Sequence, residues 1–242
     1  MRKLIATFSL IALAQTWPLA VSAQTPVGDP IDRIVATGWM TPDSRGNFNP
    51  EGIVSRAELA SILVKTFQLD RRATAQKPNV SVPDVPTSYW GYQAIQIVLK
   101  TGTMAGYRDQ MFFPNQRVSR AEALAIFAQA YGVFQFPEGT VTDILAQYPD
   151  AGEIPTWARK SLATALYEGF VNVDSGTNKI NPLKPMTRRD MVYALNQYLN
   201  RQERPTAIPR RDNPAPTPEP NSPLPTLGPD DSVPIPVPVP RS

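Results

Sequence analysis

The sequence predicts an all-α protein: three two-helix repeats in a pseudo-threefold bundle, followed by a disordered proline-rich C-terminal tail. Three observations carry this. A motif of proline, a Ser/Thr-Arg pair and an acid recurs three times at near-constant spacing. Apolar residues around it recur at the period of a helix, not of a strand. Proline is concentrated at the end, with thirteen in the forty residues from Glu203 to Ser242.

The first element, residues 1–23, reads as a secretory signal peptide and is set aside before any fold reasoning. Arg2 and Lys3 form a charged start, Leu4 to Leu13 is mostly apolar, and Val21-Ser22-Ala23 supplies small residues before a cleavage at Gln24. The apolar run is shorter than the about 20 residues that span a bilayer, and no later stretch is long enough. The mature chain is therefore expected to be exported, to the periplasm or cell surface, with no transmembrane segment.

Composition narrows the chemistry. Removing Arg2 and Lys3 lowers the net charge from +3 to +1, a balance that argues against nucleic acid as a partner. Cysteine is absent, so no disulfide framework braces an exported chain and stability must come from a buried core. Histidine is absent too, which removes the commonest general base and the commonest metal ligand. No catalytic, cofactor-binding or metal-binding set is assigned.

The three repeats are placed at residues 25–76, where the unit is truncated, 80–135 and 140–202. They align on Asn49-Pro50…Ser55-Arg56-Ala57-Glu58, Phe113-Pro114…Ser119-Arg120-Ala121-Glu122 and Asn181-Pro182…Thr187-Arg188-Arg189-Asp190. A glycine stands 12, 12 and 13 residues ahead of each proline, at Gly38, Gly102 and Gly169. Two landmarks that repeat together identify a repeat architecture.

In each repeat a first helix precedes the glycine. Its apolar face is Ile31, Ile34 and Val35, then Ile95, Val98 and Leu99, then Leu162, Ala165 and Leu166. The glycine ends it, as a residue able to take positive φ. Ser55, Ser119 and Thr187 then cap a second helix, with Glu58, Glu122 and Asp190 three residues on. The first two pairs read as capping boxes, and the third as a weaker one because Asp is shorter. Behind them lie Leu59, Ile62, Leu63 and Phe67; Leu124, Ile126, Phe127 and Tyr131; and Met191, Val192, Leu195 and Leu199. Six helices are expected, and no single pair can bury both its faces alone.

Residues 203–242 form the last element. Apolar residues other than Pro and Ala are sparse there, and the end alternates from Val233-Pro234 to Val239-Pro240. Such a tail packs no core and is expected to be extended or disordered.

Arg56, Arg120 and Arg188 are the first candidate ligand-binding residues. Each sits at the first helical position, where the helix dipole disfavours a cation by about 0.3–1 kcal/mol. One reading is an anion site, in which free first-turn amides and a guanidinium fork take a carboxylate or phosphate. The other is structural: each arginine pairs with the acid of its own capping motif or with a loop acid such as Asp43 or Asp109. Trp90 and Trp157, twelve residues before Gly102 and Gly169, are the second candidates. They could stack on a sugar face, but at helix starts the core-plug reading is preferred. The first repeat has Pro26 at this position.

The second repeat carries Val82-Pro83-Asp84-Val85-Pro86, Tyr89-Trp90-Gly91-Tyr92, Gly102-Thr103-Met104-Ala105-Gly106-Tyr107-Arg108-Asp109, Phe113-Pro114 and Val118-Ser119-Arg120-Ala121-Glu122. With these the body resembles the S-layer homology family. The resemblance implies a three-repeat helical domain that binds secondary cell-wall polysaccharide, often pyruvylated, in grooves between repeats, with Arg56, Arg120 and Arg188 facing the ligand carboxylate. The expected partner is thus a cell-wall polysaccharide or a peptidoglycan-linked glycan. The third repeat departs from the family pattern at Asn172–Thr177 and at Arg189-Asp190, so one or two competent grooves are expected, not three.

Three rival readings compete with this one. A carboxylate-based glycan-active enzyme would draw on Glu58 and Glu122, but each stands where a capping box needs it. A β-barrel channel needs alternating strands of about ten residues, which are missing. An envelope adaptor shares the wall-binding body and adds a protein partner for the proline-rich tail.

Overall fold

The computed structural model describes residues 28–132 and 136–203. The segment expected to be a signal peptide, residues 1–23, and the expected tail beyond Glu203 lie outside the described residues. Within them the fold is helical, with α1 (Pro30–Thr37), α2 (Arg56–Phe67), α3 (Tyr92–Lys100), α4 (Arg120–Tyr131), α5 (Glu138–Leu145), α6 (Arg159–Tyr167) and α7 (Arg188–Glu203). Six of these are the expected pairs. The seventh, α5, is additional: Val141 and Leu145, one turn apart, are buried and anchor it against α6.

The punctuation of the sequence becomes geometry at each repeat. Gly38, Gly102 and Gly169 take φ of 73°, 69° and 72°, the left-handed conformation that ends the first helix and turns the chain into the loop. Ser55 and Ser119 each accept the amide of the residue three on at 3.2 Å. The third cap differs from expectation, because it is a complete two-way box. Thr187 Oγ1 accepts the Asp190 amide at 3.1 Å, and Asp190 Oδ2 accepts the Thr187 amide at 3.1 Å. One oxygen of the short carboxylate closes the box while the other faces Arg120.

The repeats are joined by exchange. The packing partner of each second helix is the first helix of the following repeat: α2 lies on α3, α4 on α6, and α7 returns to α1. Arg33 of α1 fastens this last contact, donating to Asn196, Asn200 and Glu203 of α7 at 2.7–2.9 Å.

At the centre the backbone itself closes a ring. The Val54 amide donates to the Met186 carbonyl at 2.9 Å, Met186 to Val118 at 2.9 Å and Val118 to Val54 at 3.3 Å. All three residues are fully buried. Around this ring each helix start receives carbonyls from the next prolyl loop. Arg56 and Ala57 donate to Gln116 and Pro114, Arg120 and Ala121 to Lys184 and Pro182, and Arg188 and Arg189 to Gly52 and Pro50, all at 2.8–3.0 Å. With the Ser or Thr cap on the third amide, at least three of the four donors that a helix start leaves open are satisfied inside the protein, and in the third repeat all four are.

Farther along the second helices, Phe67, Phe127, Tyr131 and Tyr198 form a cluster of rings, joined by Phe170 against Phe127 and Tyr131, with paired centroids 5.1–6.2 Å apart. Burying each such ring contributes about 1.5–3 kcal/mol. Every second helix depends on the other two for that burial, so the three repeats fold as one body.

Candidate ligand groove

The three motif arginines form a closed circuit. Arg56 pairs with Glu122 at 2.9 Å, Arg120 with Asp190 at 2.8 Å, and Arg188 with Glu58. In each case the partner is the capping acid of the following repeat. The structural alternative drawn from sequence, an acid of the same motif or a loop acid, has the chemistry right and the partner different. Spacing along one chain reveals local caps, whereas the partner is set by the ring.

Arg56 and Arg120 are 3% and 5% exposed. Arg56 gives Nε to the Phe112 carbonyl, Nη2 to Ala105, and Nη1 to Glu122 and the Tyr107 hydroxyl. Its guanidinium lies 4.5 Å from the Tyr107 ring centre and 4.6 Å from that of Phe112. Arg120 gives Nε to Ile180, Nη2 to the Asn172 carbonyl, and Nη1 to the Asn172 side chain and Asp190. The two arginines thus bolt the loop of the next repeat to the helix start. The first-turn amides beside them, expected to be free for an anion, are occupied by carbonyls of the neighbouring loop.

Arg188 is placed differently. It holds the carbonyls of Phe48 and Thr41 and the Glu58 carboxylate, engaging each nitrogen once. Its side chain keeps 15% exposure and lines a cavity of about 950 Å³. The cavity is bounded by the Trp39–Asn49 loop and α2 of the first repeat, by Arg188 of the third and by Trp90 of the second. Along its floor runs a helical stripe of Glu58, Ser61, Ile62 and Lys65, with spacings of three, four and seven that place all four on one face of α2.

Burial holds the Glu58 carboxyl above its ordinary value of 4.5, outweighing the charge and hydrogen bond of Arg188 and the amide of Ser55. Burial acts the same way on Asp190, but hydrogen bonds from Asn172 and Thr187 and the charge of Arg120 bring it below 3.8.

Trp90 is 65% exposed and Trp157 is 59% exposed. Neither is a core plug, which corrects the preferred sequence reading: both stand before a helix whose buried face begins later, at Ile95 and at Ser161 and Leu162. Trp157 sits on the 3-10 turn Thr156–Ala158, which packs on α4, and is the repeat-three counterpart of Trp90. Around Arg120 the corresponding space is smaller, about 260 Å³, between Asn172, Asp174, Lys184 and Asp190.

Sequence reasoning missed Lys65. Among the described residues it has no hydrogen-bond or ion-pair partner, and it is exposed on the cavity wall. Gln129 and Gln197 hold its place in α4 and α7, so only the first repeat offers a cation there. The signal was available: Glu58, Ser61 and Lys65 form a polar periodic face on α2 beside the apolar one.

The chemistry this arrangement allows is recognition. An exposed indole can cover the face of a sugar, and an ammonium and a guanidinium across the cavity can take a carboxylate.

The profile of the S-layer homology domain matches the chain in three segments, residues 24–60, 83–124 and 147–192. The chain is 29% identical over 202 residues to the surface-layer 125 kDa protein of Lysinibacillus sphaericus, covering 79% of this chain and 16% of that one. It is 27% identical over 159 residues to a cellulosome-anchoring protein of Acetivibrio thermocellus, covering 64% and 34%. To the S-layer protein EA1 of Bacillus anthracis it is 30% identical over 122 residues, covering 49% and 14%. The chain thus spans only between about one seventh and one third of the length of these relatives.

Proposed function

Because this chain belongs to the S-layer homology family, we propose that it is a non-catalytic envelope module that anchors to the cell wall by holding an anionic polysaccharide. The glycan occupies the groove between Trp90, α2 and Arg188. One observation carries the reading: a cavity of about 950 Å³ brings together an exposed tryptophan and Lys65, a cation without a partner among the described residues. Trp90 covers a pyranose face, Lys65 takes the carboxylate of an acidic substituent such as a pyruvate ketal, and Arg188 adds donors at the wall. Arg56 and Arg120 act as positioning residues, fixing the loops against which the glycan lies. Trp157, exposed on the 3-10 turn that packs on α4, offers a second stacking face. Names of the relatives support the setting, since one is a cellulosome-anchoring protein and others are surface-layer proteins. The protein is accordingly exported and wall-associated.

The test is retention on purified wall sacculi before and after acid removal of wall polysaccharide. Retention lost on acid treatment supports the reading, and retention that survives it points to another wall component. A second reading, that the tail recruits a protein partner, is favoured by the Val-Pro alternation from Val233 to Pro240. Deleting residues 204–242 separates the two, since wall binding would survive while recruitment is lost.

A further inference from the structure

Each prolyl loop bends at one residue in the left-handed region just before its proline: Asn49 (φ 49°), Phe113 (φ 54°) and Asn181 (φ 55°). Asparagine tolerates that conformation, whereas a bulky residue with φ above zero is an outlier that calls for a reason. The bend belongs to the fold. In the second repeat the Asp84 carboxylate holds the amides of Phe112 and Phe113 at 2.9 and 2.6 Å, and in the third Asp150 holds those of Ile180 and Asn181 at 3.0 and 2.7 Å. Packing does not explain the phenylalanine either, because its ring is 43% exposed.

The Phe113 ring lies 5.6 Å from Tyr107, which is itself 45% exposed and is backed by the Arg56 guanidinium. Asp84, Asn115 and Gln116 line a shallow hollow of about 420 Å³ beside Phe113. Tyr89 links this hollow to Trp90: its hydroxyl donates to Asn115 Oδ1 at 3.0 Å, and its ring lies 5.6 Å from that of Trp90. An apolar shelf flanked by amide and carboxylate groups suits a sugar ring, which has an apolar face and a hydroxyl rim.

Resting on the reading that the Trp90 groove takes a wall glycan, we infer that Tyr107 and Phe113 form a second sugar-stacking subsite. A polysaccharide leaving that groove continues past Asn115 onto this shelf. The subsite therefore reads chain length: a fragment of one repeating unit fills the groove alone, and a longer chain fills both.

The experiment compares Phe113→Asn, which installs the residue of the other two repeats, with Phe113→Tyr, using acid-released wall polysaccharide and its single-repeat fragment as probes. Phe113→Asn is expected to keep or raise Tm and to leave fragment affinity unchanged. Its affinity for full-length polysaccharide should fall about five- to tenfold, the size of one aromatic stacking contact, and Phe113→Tyr should retain it. Equal affinity of Phe113→Asn and the parent protein for the long polysaccharide overturns the subsite. So does a lowered Tm with equal loss of both probes, which makes the ring packing, or a loss confined to self-association, which makes it a contact between copies. Trp90→Ala reports separately on the groove: if it binds both probes normally, the groove reading fails.

Discussion

Arg56 of the first repeat and Glu122 of the second stand 2.9 Å apart, and the same pairing continues from Arg120 to Asp190 and from Arg188 back to Glu58. A cation at a helix start, disfavoured by the dipole, is accommodated because the next helix start presents its capping acid at the same level. The three unfavourable placements are therefore one interlocked structure at the repeat junctions.

Arg120→Ala should destabilise the body strongly. The substitution leaves the Ile180 and Asn172 carbonyls without their donor and Asp190 without its cation, a loss of about 3–5 kcal/mol for breaking a buried pair. Urea denaturation of the parent and the variant measures it. A change below about 0.5 kcal/mol would mean that the circuit does not support the fold.

The two carboxylates with opposite shifts predict opposite limbs of the pH profile. Asp190 is held below 3.8, so the stability from its ionised form is complete above that value and lost as pH falls through the lower folded value. Glu58 is held above 4.5, so the fold favours its protonated form and stability declines as pH rises from 4.5 through the raised value. Asp190→Asn should flatten the first limb and Glu58→Gln the second, whatever each variant's absolute stability. Slopes unchanged in both variants would contradict the assignment.

Ser119→Ala removes the acceptor for the Glu122 amide and should cost about 1 kcal/mol. The neighbouring amides of Arg120 and Ala121 keep their loop carbonyls, so the loss should stay at one cap. Thermal unfolding checks it, and a loss near that of Arg120→Ala would show that cap and circuit are a single unit.

Legibility of these features in the sequence follows the range of the interactions. Gly38, Gly102 and Gly169 announced the helix ends because only a local backbone angle is at stake. Ser55, Ser119 and Thr187 announced the starts because a cap acts over three residues. The helical faces through Ile34, Ile95 and Leu162 are local in the same sense. What remained hidden depends on contacts more than forty residues apart: the acid that each arginine meets and the carbonyls that fill the first-turn amides. Helix α5 was hidden for another reason, since Gly139, Thr140 and Thr142 are weak helix formers and only Val141 and Leu145 mark its buried side. Lys65 and Phe113 were overlooked because each differs between repeats, and a search for what recurs passes over what does not.

Whether Lys65 holds the anionic group of the glycan is decided by Lys65→Ala, with affinity for acid-released wall polysaccharide measured by calorimetry at several salt concentrations. Lys65 is exposed and has no partner among the described residues, so Tm should stay within the range of ordinary surface substitutions. Affinity should fall about tenfold, as for loss of one charge-assisted hydrogen bond, and the remaining binding should weaken less steeply as salt rises. A variant that binds as tightly as the parent, with the same salt dependence, would place the anionic group of the glycan elsewhere and contradict the assignment of this groove.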